Sequence, residues 1–408
     1  MFPKLRFKEF DDDWSPYVLK DFVSFRKGKG ISKADISENG INECIRYGEL
    51  YTTYGQVIDH IHSKTNVSKS ECILSKAGDV IIPASGETQI DIATASCVLH
   101  DDIILSGDLN ILSHEENGSW LAYYLSSAKK LEIAQLAQGN SVVHLYSSQL
   151  KDLKINKPSK EEQTKIASFL SNVDEKISQL TQKHELLSQY KQGMMQKLFS
   201  QQIRFKADDG SEFGEWGKAK VGNITETIFG YPFDSKEMVE DTNGIPLMRG
   251  INIGECHIRH SFELDRFFLK DTSKLEKYFV RVNDIVLSMD GSKVGRNSAF
   301  VTEKDAGSLL VQRVCILREK ANTNIQYVYQ WIISKEFHRY VDQVKTSSGI
   351  PHISGKQIQD YEISYPCLEE QTKIANFLSA IDQKIEVVAQ QIEQAKTWKK
   401  GLLQQMFI

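Results

Sequence analysis

Residues 161–170 read EEQTKIASFL and residues 369–378 read EEQTKIANFL. The offset of 208 (369 − 161) holds without a gap to the last residue, and 161–200 against 369–408 gives 19 identities in 40 positions. A repeat this long and ungapped is one structural unit used twice. Apolar residues in the first copy fall at Ile166, Leu170, Val173, Ile177, Leu180, Leu187, Met194 and Leu198. In the second they fall at Ile374, Leu378, Ile381, Ile385, Val388, Ile392, Ala395, Leu402 and Met406. Steps of four and three alternate, which is the seam of a coiled coil, interrupted by His184, Lys191 and Lys399. Forty helical residues make a rod of roughly 60 Å. Ser159 with Glu162 can form a capping box after Pro158, whereas Cys367 replaces that serine in the second copy. A single helix of this kind would be a dimerisation seam. Two in one chain can pair with each other, and an antiparallel pair relates the two halves by an approximate two-fold axis.

The duplication extends beyond the helices. Leu5-Arg6-Phe7-Lys8 matches Ile203-Arg204-Phe205-Lys206, and Trp14 matches Trp216. Between these openings and the helices lie two divergent regions, 26–155 and 225–363. The first carries strand candidates at 43–47, 79–83, 92–99 and 109–112, then an amphipathic helix from Trp120 to Ala137. The second carries strand candidates at 245–248, 284–288 and 309–317, then a helix from Ile325 to Val344. GDVIIPASG (78–86) resembles NDIVLSMDG (283–291) at an offset of 205. SVVHLYSSQLKDLKI (141–155) aligns with GIPHISGKQIQDYEI (349–363) at 208, which sets His144 against His352 and Gln149 against Gln357. Shared parts supply architecture, and divergent parts supply two separate specificities.

Bulk properties narrow the class. A length of 408 residues, 40% hydrophobic and 25% charged, describes an ordinary globular protein of two or three domains. No apolar run approaches a membrane span, and the opening MFPKLRFKEFDDDW lacks a signal core, so a cytoplasmic protein is expected. Cys44, Cys72, Cys97, Cys256, Cys315 and Cys367 show no paired spacing and read as buried thiols. A formal charge of −4 argues against a free-standing DNA binder. A DNA reader with this balance concentrates its basic residues on one face or borrows affinity from a partner.

Catalytic signatures are scarce. There is no phosphate loop, no nucleophile elbow and no Asp- or Asn-Pro-Pro-aromatic tetrapeptide, and Gly28-Lys29-Gly30 is too short for a nucleotide fingerprint. Cys256-His257 with His260 lacks a fourth metal ligand at zinc-site spacing. Asp79 and Asp284 read better as strand-end turns than as nuclease carboxylates. Recognition residues are plentiful instead. The first region offers Arg26, Lys27 and Lys29 in a glycine-containing loop, Arg46 and Tyr47 after a strand, and Ser85, Thr88 and Gln89 in another loop. The second offers Tyr231, Arg249, Asn252, Ser288, Asp290, Lys293, Arg296, Gln312, Arg313 and His352. These are side-chain types that read base edges and grip phosphates, although each alone could be a solvated surface group.

The order variable–helix–variable–helix, with KPSKEEQTKIASFLSNVDEKI (157–177) echoed by YPCLEEQTKIANFLSAIDQKI (365–385), resembles the specificity subunit of type I restriction-modification systems over the whole chain. The resemblance implies an α+β fold. Two mixed α/β target-recognition domains are separated by an intramolecular antiparallel coiled coil of two long helices, with pseudo-two-fold symmetry. The corresponding boundaries are 1–157 and 201–365 for the recognition domains and 158–200 and 366–408 for the helices. It implies a non-catalytic subunit that reads a bipartite double-stranded DNA target. Two methyltransferase (M) subunits would carry S-adenosylmethionine, and up to two restriction (R) subunits would use ATP and Mg. This chain itself would bind no cofactor and no metal. Gln163, Lys165, Lys176, Gln371, Lys373 and Lys384 are candidate contacts to M, or else plain solvated faces. The competing readings are an endonuclease or methyltransferase with fused recognition domains, for which no room is left, and a coiled-coil scaffold with no DNA role.

Overall fold

The computed structural model describes residues 3–139, 141–346 and 349–407. The chain divides into two compact units, Met1–Lys183 with Val388–Ile408, and His184–Val387. Each unit joins one mixed sheet-and-helix domain to a stretch of both long helices, Lys160–Phe199 and Leu368–Met406.

The helices pack along the expected seam. In the first unit Ile166, Leu170 and Val173 share a buried cluster with Leu402 and Met406. In the second, Met195 and Leu198 share one with Ile374, Leu378 and Ile381. Each such side chain removed from water contributes about 1.5–3 kcal/mol. The lysines that interrupt the pattern are paired across it. Lys399 Nζ lies 2.5 Å from Asp174 in the first unit, and Lys191 Nζ lies 2.6 Å from Asp382 in the second. These pairs are repeat equivalents (174 + 208 = 382; 191 + 208 = 399). In both, the start of one helix meets the end of the other, so the helices run antiparallel. Tyr123 donates to Asp174 at 2.6 Å, and burial, followed by that carboxylate, holds its phenol well above the usual range. Gln330 donates to Asp382 at 3.1 Å in the second unit.

The repeated EEQT block anchors each domain to its helix. Glu162, 1% exposed, accepts two hydrogen bonds from Arg6, both at 2.7 Å. Glu370, fully buried, accepts from Arg204 at 3.1 and 2.7 Å and from Trp216 Nε1 at 2.8 Å. The next residue holds a second element. Gln163 accepts the Asn117 N–H at 3.0 Å and donates to Glu116 and the Pro158 carbonyl. Gln371 accepts the Asn324 N–H at 2.9 Å and donates to the Pro366 carbonyl. Asn117 and Asn324 in turn cap the short helices Gly118–Ser127 and Ile325–Ile332. The repeated opening joins the same junction, since Phe7 packs edge-on to Phe169, and Phe205 to Phe377.

The domains share a framework. The first unit has a sheet in the order Ser24–Lys27, Leu109–Ser113, Val80–Pro83, Ser96–Val98, Val57–Ile58. The second repeats its first four places as Thr225–Phe229, Val314–Glu319, Ile285–Ser288, Ser298–Phe300. Each also has a parallel pair in a smaller sheet, Asn42–Ile45 with Ile104–Leu105 and Ile245–Met248 with Leu309–Leu310.

Several expectations are corrected. The Ser159 hydroxyl accepts the Glu162 N–H at 3.2 Å, but the Glu162 carboxylate goes to Arg6 rather than closing a capping box. The helix expected from Trp120 to Ala137 is two helices, Gly118–Ser127 and Lys130–Leu136. That from Ile325 breaks at Ser334, which caps Lys335–Val344. The strand expected at 309–317 is interrupted by a turn at 312–313. Cys44, Cys97 and Cys315 are buried, and burial pushes the Cys44 thiol up to about 12, but Cys256 and Cys367 are exposed. Asp79 and Asp284 each cap a turn before a central strand, accepting the Lys76 and Arg281 N–H groups.

Replacing Glu370 by Ala strands Arg204 and the Trp216 indole in a junction that is buried at the carboxylate and partly open at the guanidinium. A loss of about 3–5 kcal/mol is expected for the second unit's unfolding in urea, and a loss below about 1 kcal/mol would mean that the pair is effectively solvated.

Candidate nucleic-acid interface

Divergent loops converge where the parallel strand pair of each unit ends. In the first unit the loop after Ser24–Lys27 crosses the turn between Ile104–Leu105 and Leu109–Ser113. Gly28 N–H bonds the Leu109 carbonyl at 2.9 Å, and Lys29 N–H bonds that of Leu105 at 3.0 Å. In the second unit Gly230 N–H bonds the Val314 carbonyl at 3.0 Å, and Tyr231 N–H that of Leu310 at 2.9 Å. Glycine is required at both crossings, because a Cβ would strike the carbonyl oxygen of Ser106 at Gly28 and of Val311 at Gly230. Lys29 and Tyr231 are therefore equivalent positions.

Other positions correspond in the same way. Ala84 N–H bonds the Asp108 carbonyl and Met289 N–H bonds the Arg313 carbonyl, which makes Asp108 and Arg313 equivalents. Ser85 pairs with His144, as Asp290 does with His352, so the segments related by offsets of 205 and 208 meet in both units. Arg46 N–H bonds Glu49 Oε2 at 2.8 Å, and Arg249 N–H bonds Asn252 Oδ1 at 3.2 Å, each at the turn after the parallel strand.

Many expected contacts already have internal partners. Arg26 is tied to Asp79 at 2.5 Å and also donates to Ser113 and the Leu74 carbonyl. Arg46 reaches Glu49 at 3.1 Å, and Arg249 the Leu264 carbonyl at 3.3 Å. Lys293 pairs with Glu255, and Arg296 with Asp342 through both terminal nitrogens. Asn252 is 1% exposed, Ser288 2% and Ser85 5%, which removes these three side chains from the surface where a base contact was expected. Thr88 caps the short helix Gln89–Ile92, Gln89 donates to the Ala137 carbonyl, and His352 contacts Thr346. Tyr47 is half-buried. Lys27, Lys29, Tyr231, Gln312 and Arg313 are exposed. Asp108 escaped the sequence reading, although the 205 offset aligns it with Arg313.

Gln163 and Gln371 are fully buried, so the expected surface contact to a partner is not available to them. Lys165 lies 3.3 Å from Glu9 and over the Phe7 ring. Lys373 lies 2.5 Å from Asp208. Lys176 and Lys384 are exposed.

The chain matches the type I restriction modification DNA specificity domain twice, over residues 11–189 and 216–397. The chain belongs to this specificity family. The type I restriction enzyme MjaVIII specificity subunit of Methanocaldococcus jannaschii is 25% identical over 96% of this chain and 91% of its own length. The EcoAI specificity subunit of Escherichia coli is 29% identical over 42% of this chain and 28% of its own length. The crystal structure of a type I restriction-modification S subunit from M. genitalium superposes with a TM-score of 0.67 at 17% identity, covering 100% of this chain and 99% of that one. A second structure, described as the structural basis of complex assembly and conformational transition of the type I system, gives a TM-score of 0.54 at 16% identity, over 96% and 97% of the two chains. The specificity family accounts for the duplicated plan, and its members are recognition subunits rather than enzymes.

Within this specificity-family chain the two kinds of basic residue behave differently. Arg26→Ala leaves the buried Asp79 carboxylate short of its cation and is expected to lower the melting temperature. Lys29→Ala is expected to leave melting unchanged, to weaken DNA binding alike for all sequences and to reduce the salt slope of binding by about one. Melting curves and salt titrations of the two variants check this, and a destabilised Lys29→Ala would overturn the assignment.

Proposed function

We propose that each unit reads one half of a split double-stranded DNA target. We propose further that the chain holds two methyltransferase subunits, with S-adenosylmethionine and the chemistry residing in them. Restriction subunits using ATP and Mg join when present, and the assembly works in the cytoplasm. No helix among the described residues is long and apolar enough to cross a membrane. The observation that carries the reading is one loop framework built twice with unlike side chains. Lys29 stands where Tyr231 does, and Asp108 where Arg313 does. A framework kept while its tips differ suits two readers of different half-sites. The net charge of −4 suits a subunit whose partners supply part of the phosphate binding.

Replacing residues 26–150 by those of a relative is expected to change one half of the methylated sequence and leave the other. Sequencing of methylated positions reads the result, and a change in both halves would show that the readers are not independent.

For the partner, Lys176 and Lys384 are the cleaner probes, since Lys165 and Lys373 already have carboxylate neighbours. Reversing both to Glu is expected to reduce co-purification of the methyltransferase subunits at least severalfold. Undiminished co-purification would make these lysines a plain solvated face.

A further inference from the structure

In the second unit, most arginine side chains of the described residues have internal partners. Arg204, Arg266, Arg296 and Arg318 pair with carboxylates at 3.0 Å or less, Arg249 and Arg259 bond carbonyls, and Arg339, on the helix Lys335–Val344, is exposed and only 3.9 Å from Glu336. A guanidinium closed on a carboxylate must give up or share that partner before it can meet DNA, whereas one bonded to a single carbonyl keeps free donors. Arg281 has no such partner but precedes the strand Ile285–Ser288, at the end away from the loop cluster. Arg313 stands in the cluster itself. It is exposed, and its backbone is fixed by the Met289 N–H on its carbonyl at 2.8 Å. The neighbouring Gln312 N–H bonds the Tyr231 carbonyl at 2.9 Å. Arg313 also sits at φ 72°, in the left-handed region. A non-glycine residue there costs about 1–3 kcal/mol, and such strain gathers at functional positions.

Resting on the proposed DNA-reading role, we infer that Arg313 reads a guanine in the half-site taken by the second unit, its planar fork facing O6 and N7 in the major groove. Two parallel donors on a rigid plane match that base edge, where a lysine ammonium offers only a point charge on a flexible stem. Tyr231 and Gln312, joined by a backbone bond at 2.9 Å, are exposed beside Arg313 on the same crossing. The first unit carries Asp108 at this place, so the guanine contact belongs to one half of the target only.

The test uses the full chain assembled with its methyltransferase subunits, selecting from randomised duplex DNA. Arg313→Gly relieves the left-handed backbone, so its melting temperature is expected to hold or rise while the side chain is lost. Arg313→Lys keeps the charge and loses the fork. Arg313→Gly is expected to lose guanine discrimination about ten- to hundredfold at one position of one half-site, with the other positions unchanged, and Arg313→Lys to lose less at that same position. Retained guanine preference in Arg313→Gly overturns the inference. So does an equal weakening across all sequences, which marks a phosphate contact. If the wild-type assembly selects no split sequence, the DNA-reading role itself fails, and the inference with it.

Discussion

A buried carboxylate gripped by a guanidinium, placed where the long helix begins, organises each unit. Glu162 with Arg6 and Glu370 with Arg204 lock the opening of a domain to the helix that leaves it. A charge this deep is tolerated only because both its oxygens are filled, and the same geometry makes it unforgiving of a lost partner. One residue on, the Gln163 and Gln371 amides hold the asparagines that cap the next helices. Two adjacent polar residues thus fix a domain at two points on one turn of helix.

The seam applies a related device to the pairing of the helices. A lysine in an apolar stripe would cost stability if left alone. Here each meets an aspartate of the opposite helix, and the two pairs are the same contact made twice. Such pairs set direction and register more than they add stability, because a shifted or parallel arrangement would leave both charges without partners. Antiparallel pairing then follows from the positions of four residues.

Rigidity at the base leaves the loops free to vary. The glycine crossings at Gly28 and Gly230 and the turns under them are held by backbone bonds, which any side chain can share. Lys29 and Tyr231, or Asp108 and Arg313, can therefore differ without disturbing what supports them. Most of the arginines have the opposite fate, folded inward as structural ions.

The sequence alone determined the duplication, the two long helices, the seam and the placing of divergent regions between them, because periodicity and an ungapped repeat are local properties of the chain. It also aligned the loop segments correctly at 205 and 208. What it could not supply was the use to which a polar side chain is put. Arg26 and Arg313 look alike in sequence, yet one closes on Asp79 and the other faces outward. Gln163 reads as a surface residue in a polar block, yet it is fully buried. Long polar side chains choose partners across 46 to 166 residues of chain. That choice exists only once tertiary packing has brought a carboxylate or a carbonyl within hydrogen-bond distance.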